Sequence, residues 1–210
     1  MKVLCIGAHP DDAETGLGGT LAKHVDIGDD VNLLICTFGG VHGNPAERMK
    51  EAQAGASILG IQDDKLRFLD YPVSKLNNPS SDFTNTLEKI VEDINPDRVY
   101  CHSPSDYHQV HVTIGTTILE LSKRDTFRQL LCYEVDSSTS RDFAPNAFVD
   151  VTNYIDLKVK SILAHKSQAM RLYTQPGVVR SHCNIRYARE KVGNNPSGMA
   201  EAFEIYKYMI

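Results

Sequence analysis

Two spacings alternate along this chain, and together they restrict its fold more than any single motif. Short apolar runs stand at Val3 to Ile6, Val31 to Cys36, Leu66 to Leu69, Arg98 to Cys101 and Leu130 to Val135, and the segments between them repeat their apolar residues nearer every 3.6 positions. A continuous apolar run suits a strand buried on both faces, whereas a 3.6 period suits a helix covering one of them. Repeated strand and helix therefore predict an α/β protein with a parallel sheet between helical layers.

The best-marked helix opens with Asn44 as N-cap, Pro45 in the first turn and Glu47 in the capping-box position. It continues through Met49, Ala52, Ala56 and Leu59 and stops at Gly60. Further helices are predicted over Thr15 to Val25, Ser81 to Ile94, His111 to Ser122 and Tyr154 to Leu172. No repeat, low-complexity tract or Ser/Pro-rich linker divides the 210 residues, so 1–210 reads as one domain. A chain of this size can bury roughly 70–75% of its unfolded surface without disulfides.

A formal net charge of -5 supplies no basic face for a phosphate backbone, so no nucleic-acid partner is expected. The apolar run before His9 is too short for a secretory signal, and no run approaches the ~20 residues of a spanning helix. Neither export nor membrane insertion is expected. The five cysteines are odd in number and form no C-x-x-C pair, which fits a reduced cytoplasm. Cys5, Cys36, Cys101 and Cys132 fall in strand-like runs, where a thiol behaves as a small apolar group.

Ligands of such sheets bind at the carboxyl edge, so the residues following the first and fourth strands come first. After the first strand stands Gly7-Ala8-His9-Pro10-Asp11-Asp12-Ala13-Glu14, and after the fourth His102-Ser103-Pro104-Ser105-Asp106-Tyr107-His108-Gln109-Val110-His111. Alone, the first is an acidic turn with a helix cap. Two histidine-carboxylate clusters at one edge point to a metal. His9, one of the two aspartates and His111 would offer two imidazoles and a carboxylate with positions left open, a catalytic rather than structural set. These donors admit Zn²⁺ or Fe²⁺. Consecutive aspartates point apart, so the other is left for proton transfer, and a metal beside a carboxylate base equips a site for hydrolysis. Gly16-Leu17-Gly18-Gly19-Thr20-Leu21 fails as a dinucleotide fingerprint because Leu21 replaces its last glycine.

Ala8 to Glu14 reproduce A-H-P-D-D-x-E, the signature that follows the first strand in LmbE-like, or PIG-L-type, metal-dependent N-deacetylases. The chain resembles that family again at Arg48 to Glu51 with Ala54, Leu59-Gly60, Asp106 to His111, Phe148 to Asp150, Ser167-Gln168 and Ala200 to Phe203. The resemblance implies a Rossmann-like three-layer α/β/α fold with a mostly parallel sheet. It also implies hydrolysis of the acetamide of an N-acetylated sugar or small glycoconjugate, usually with zinc. By the same resemblance His9, Asp12 and His111 are metal ligands, Asp11 is the general base and His108 is the electrophile near the oxyanion. Arg48 is then a sugar contact, and Glu14 and Asp106 orient ligands or loops. The expected assembly is a homo-oligomer, a trimer or hexamer.

One position departs from the family pattern. Where the family often carries an aspartate before the last metal histidine, this chain has Val110, which removes a carboxylate partner from His108. Either Asp106 substitutes, or His108 serves as a neutral donor, or activity is weak. Two other readings stand beside the deacetylase: a metal-binding member with a binding or regulatory role, and a nucleotide-binding protein with incidental clusters. The substrate loops Val73 to Phe83 and Ser137 to Asn146 carry no diagnostic pattern.

Overall fold

The computed structural model describes residues 1–39, 44–76 and 81–209. Residues 77–80 of the first substrate loop therefore lie outside the described residues. The described strands are β1 (Lys2–Gly7), β2 (Asp30–Ile35), β3 (Leu66–Phe68), β4 (Arg98–His102), β5 (Gln129–Tyr133), β6 (Ala147–Asp150) and β7 (Ala200–Tyr208). The helices are α1 (Asp12–Asp26), α2 (Pro45–Ile58), α3 (Val73–Leu76), α4 (Ser81–Ile94), α5 (Gln109–Ser122), α6 (Ile155–Leu163) and α7 (Pro176–Arg189). The strands form a seven-stranded sheet in the order β3-β2-β1-β4-β5-β7-β6. Pairings from β3 through β5 are parallel, and β7 runs antiparallel to both β5 and β6.

The apolar strands are continuous because both faces are covered. Leu4 and Ile6 of β1 pack with Phe83, Leu87 and Val91 of α4 and Ile114 and Ile118 of α5. Their neighbours Val3 and Cys5 point the other way, toward Leu17 and Leu21 of α1 and Ala52 and Ala56 of α2. These are the three layers of an α/β/α fold. All five cysteines are free and buried, including Cys183, which sits on α7 outside the strand-like runs. The chain leaves β1 toward β2 on one side and returns to β4 on the other, so the carboxyl ends of β1 and β4 flank the crevice where such sheets bind ligands.

Part of the architecture departs from the sequence reading. The helix expected over Tyr154 to Leu172 ends at Leu163, and single 3-10 turns follow at Lys166–Gln168 and Leu172–Thr174. Side chains from elsewhere claim the backbone there: the Glu51 carboxylate accepts Ser167 N–H at 2.7 Å and Ser167 Oγ at 2.6 Å. The short helix α3, α7 and the β6–β7 pair are additions to the predicted elements.

Helix α1 is broken at Leu17, whose φ of -142° lies outside the helical region. The backbone groups freed by the break are taken up by a buried ion pair from distant elements. Glu201 of β7 accepts Gly19 N–H at 2.9 Å and Thr20 N–H at 2.7 Å, and Lys158 of α6 donates to Thr15 O at 2.6 Å. Lys158 and Glu201 are themselves 2.6 Å apart. The glycines that imitate a dinucleotide fingerprint serve packing instead: a Cβ on Gly16 would collide with the Tyr133 ring.

Candidate functional site

The loop after β1 is anchored before it reaches its charged residues. Ala8 N–H donates to His102 Nε2 at 2.9 Å, and Ala8 O accepts Thr37 N–H and Thr37 Oγ1, each at 2.9 Å. Burial and the nearby His111 lower the pKa of His102 to about 4. The imidazole is therefore neutral, with Nε2 accepting. Asp12 Oδ2 lies 3.3 Å from that nitrogen, a close contact rather than an ion pair. His102 is thus a positioning residue that the sequence reading quoted but gave no role; its place as the last residue of β4 was the available signal.

Beyond this anchor the predicted ligand set converges. Asp12 Oδ2 lies 3.2 Å from His9 Nδ1 and 3.3 Å from His111 Nε2, and the two ring nitrogens are 3.3 Å apart. Donors bound tetrahedrally to zinc at ~2.0–2.1 Å are themselves separated by about 3.3–3.4 Å. The triangle therefore has the dimensions and donor types of three ligands to one small divalent cation. Burial works against the charged form of Asp12, but His111 and His9 hold its carboxyl well below the ordinary range.

Asp106 fixes the orientation of His111. Its Oδ2 lies 3.2 Å from His111 Nδ1 and accepts Ser138 Oγ at 3.1 Å, while its Oδ1 accepts the His108 backbone N–H at 2.7 Å. A carboxylate on the far nitrogen of a ligand histidine selects the tautomer that presents the other nitrogen. His102, Asp106 and His111 form a second compact donor group, but it is fully buried, and His102 Nε2 and His111 Nδ1 already have these partners.

Asp11 points elsewhere. Its backbone is in the left-handed region at φ 110°, and its Oδ1 accepts Arg48 Nη2 at 2.9 Å. The same nitrogen bonds Pro10 O, so Arg48, buried on α2, clamps both ends of the turn. Burial and the adjacent Asp12 raise the Asp11 pKa to about 6 against the opposing influence of Arg48. Tyr173 Oη donates to Asp11 Oδ2 at 3.4 Å.

His108 is the N-cap of α5, where its Nδ1 accepts Val110 N–H at 3.3 Å. Burial and the neighbouring His111 and His9 lower its pKa, so the ring is neutral with its proton on Nε2. Asp106 binds the His108 backbone rather than its ring, and Val110 is buried in the apolar core with Ile114 and Ile118. Of the three options left by Val110, the geometry matches the neutral donor.

Glu14 does not reach these groups. It is completely buried, with Oε1 3.1 Å from His165 Nε2, and so ties α1 to the segment following α6. That segment supplies Gln168, Arg171 and Tyr173 to a cleft of about 390 Å³ over His9, Asp11, Asp12, Arg48, His108 and His111. Arg171 and Tyr173 carry no motif, and sequence reasoning missed them.

The family described as PIG-L: GlcNAc-PI de-N-acetylase matches residues 4–122, the part of the chain that carries His9, Asp11, Asp12, Arg48, Asp106, His108 and His111. The chain belongs to the PIG-L, or LmbE-like, deacetylase family. Relatives in that family include the Uncharacterized deacetylase YaiS of Escherichia coli (strain K12), 32% identical over 174 residues, covering 79% of this chain and 90% of the relative. The Diacetylchitobiose deacetylase of Thermococcus kodakarensis is 27% identical over 189 residues, covering 80% and 70%. Among solved structures, the N,N'-diacetylchitobiose deacetylase of Pyrococcus horikoshii superimposes with a TM-score of 0.78 at 27% identity, covering 98% of this chain and 84% of that one. None of the described helices is long and apolar enough to cross a membrane.

Proposed function

We propose that this deacetylase-family protein is a zinc-dependent hydrolase that removes the acetyl group from an N-acetylated sugar or small glycoconjugate of the N-acetylglucosamine type. Acetate and a free amine are the products. The supporting observation is the triangle of Asp12, His9 and His111 donors, 3.2–3.3 Å on each side, beside a separate carboxylate in an open cleft. His9, Asp12 and His111 would hold the ion; Zn²⁺ suits them best, and Fe²⁺ or another divalent metal is compatible. When bound, it supplies Lewis acidity toward the acetamide carbonyl and lowers the pKa of water.

The remaining roles belong to the chain. Asp11 accepts the proton of the attacking water and returns it to the nitrogen as the C–N bond breaks. Its pKa of about 6 suits both transfers near neutrality. His108 Nε2–H donates to the developing oxyanion, a contribution that for one well-placed donor is ~3–4 kcal/mol. Arg48 holds the Asp11 turn and lines the cleft as a sugar contact, and Asp106 keeps His111 in its tautomer. Glu14 acts at one remove, through His165 and the cleft-lining segment beyond it.

Acetate release from N-acetylglucosamine conjugates, with and without chelator and with metal content measured alongside, tests the proposal. Chelator-sensitive release is the expected result; bound metal without release would favour the second reading, a binding or regulatory member. Val110 in the core is the observation that supports this alternative, since His108 has a backbone partner instead of a carboxylate. The buried free cysteines support a cytoplasmic location. The proposed homo-oligomer, a trimer or hexamer, is checked by light scattering.

A further inference from the structure

The matched segment 4–122 stops short of β5, yet the orientation of His111 depends on a residue beyond it. His102 and His108 both stack on the His111 ring, with centroids 3.9 and 4.5 Å away and interplanar angles of 12° and 26°. Stacking fixes the plane of the ring and leaves the direction of Nε2 within that plane to hydrogen bonding. The direction is set at the opposite nitrogen, where Nδ1 lies 3.2 Å from Asp106 Oδ2 and 3.3 Å from Ser138 Oγ. Asp106 is itself steered by Ser138, whose hydroxyl donates to the same Oδ2 at 3.1 Å and whose carbonyl accepts Tyr107 N–H at 3.0 Å. Ser138 therefore grips both the carboxylate and the backbone that carries it.

Ser138 stands between β5 and β6, outside both strands. Its place is set by the turn 136–138, closed by Ser138 N–H on Val135 O at 2.9 Å, and by α7. His182 of α7 has Nδ1 3.3 Å from Asp136 Oδ1 and Nε2 3.0 Å from Glu134 Oε1, an oxygen that also accepts Arg186 Nε at 2.9 Å. Both ring nitrogens thus face carboxylates two residues apart, and an imidazolium donates to both. We infer that Ser138 is a positioning residue for His111 and that His182 places Ser138 from α7, so that the hold on the metal extends from the cleft to a helix outside the matched segment. The inference deepens the deacetylase reading and rests on it for the ion between His9, Asp12 and His111.

The test is competition for Zn²⁺ between the full chain and a chromogenic chelator at constant pH, which needs no turnover. Ser138→Ala is expected to weaken zinc affinity about three- to tenfold, less than the loss expected on altering the Asp106 carboxylate itself. Ser138→Thr keeps the hydroxyl and should stay within about twofold of the wild type. His182→Asn, whose shorter side chain cannot span both carboxylates, should weaken zinc about threefold. The double variant Ser138→Ala/His182→Asn separates a relay from a general loosening. Because His182 acts through Ser138, the double variant should bind zinc no more weakly than Ser138→Ala alone. Unchanged affinity in Ser138→Ala, a loss in Ser138→Thr equal to that in Ser138→Ala, unchanged affinity in His182→Asn, or effects that multiply in the double variant would each overturn the assignment. The expected zinc affinities in a protein that releases no acetate would leave the positioning role standing and remove the hydrolase reading instead; a wild type without zinc affinity would overturn both.

Discussion

Two histidine-carboxylate assemblies stand a few residues apart in the sequence of α1, and they serve different ends. At the cleft, His111 has Asp106 on one nitrogen and turns the other toward His9 and Asp12, beneath a space of about 390 Å³. Two residues further along α1, Glu14 meets His165 with both side chains completely excluded from solvent, and Gly55 closes over them so tightly that a Cβ there would lie 2.6 Å from Glu14 Oε1. The residue types are the same. What separates them is whether a nitrogen faces space that a ligand can enter, so one set can hold a reactant while the other joins α1 to the chain after α6.

The largest effect that would sharpen this contrast is expected from Asp11→Asn. Acetate release should fall by ~10²–10⁴-fold, the usual contribution of a positioned proton-transfer group, while metal content measured by elemental analysis stays at the wild-type level. Parallel loss of metal and turnover would mean that Asp11 is a ligand and not the base. Glu14→Gln should act on the other side of the comparison, lowering unfolding free energy by about 2–3 kcal/mol in urea melts with turnover per folded molecule nearly unchanged. The cost stays moderate because His165, whose burial opposes a pKa that Glu14 raises, can lose its proton rather than remain a stranded cation. A turnover collapse without instability would place Glu14 in the chemistry. Asp106→Asn is expected to weaken metal binding by ~10–100-fold in a competition titration with a chromogenic chelator, since it alters the group orienting His111.

The smallest effect concerns pH. Burial opposes protonation of His182, yet Glu134 and Asp136 raise its pKa, so its stabilisation is complete below the unfolded value of about 6.5 and is lost as pH rises through the folded value. Glu134 has the reverse sign. Burial raises its carboxyl, but His182 and Arg186 lower it overall, so its contribution is present above 4.5 and is lost as pH falls through the folded value. His182→Asn should therefore cost about 1 kcal/mol between those limits, with a difference in melting temperature that shrinks as pH is raised further. A constant difference across pH would assign the effect to packing.

How much of this was legible in the sequence varied with the range of the forces involved. The strands from β1 to β5 were readable because burial on both faces leaves an uninterrupted apolar run. The site edge followed from topology, since Asp11 and Asp12 stand directly after β1 and the histidine cluster directly after β4. The end of α6 was not readable: the carboxylate that captures Ser167 belongs to Glu51, 116 positions away. Arg171 and Tyr173 reach the cleft only because that segment leaves the helix. By contrast α7 carried a local signal that went unread, with Pro176 at its start and Val179, Cys183 and Tyr187 at intervals of four on its buried face. In β7 the mixture of buried Glu201 and Glu204 with Ala202 and Phe203 masks a strand, because both carboxylates are bonded to distant partners.

The break in α1 gives the order of synthesis a role in how the site is assembled. The loop with His9, Asp11 and Asp12 leaves the ribosome early, but the carboxylate that captures Gly19 N–H lies 182 positions later. At roughly 5–20 residues per second, the nascent α1 waits about 9–36 s for it. During that interval its broken end has neither Glu201 nor, for most of the time, Lys158. The charged loop can thus be held by Thr37, Arg48 and His102 while the break in α1 behind it still waits for the carboxylate that captures it.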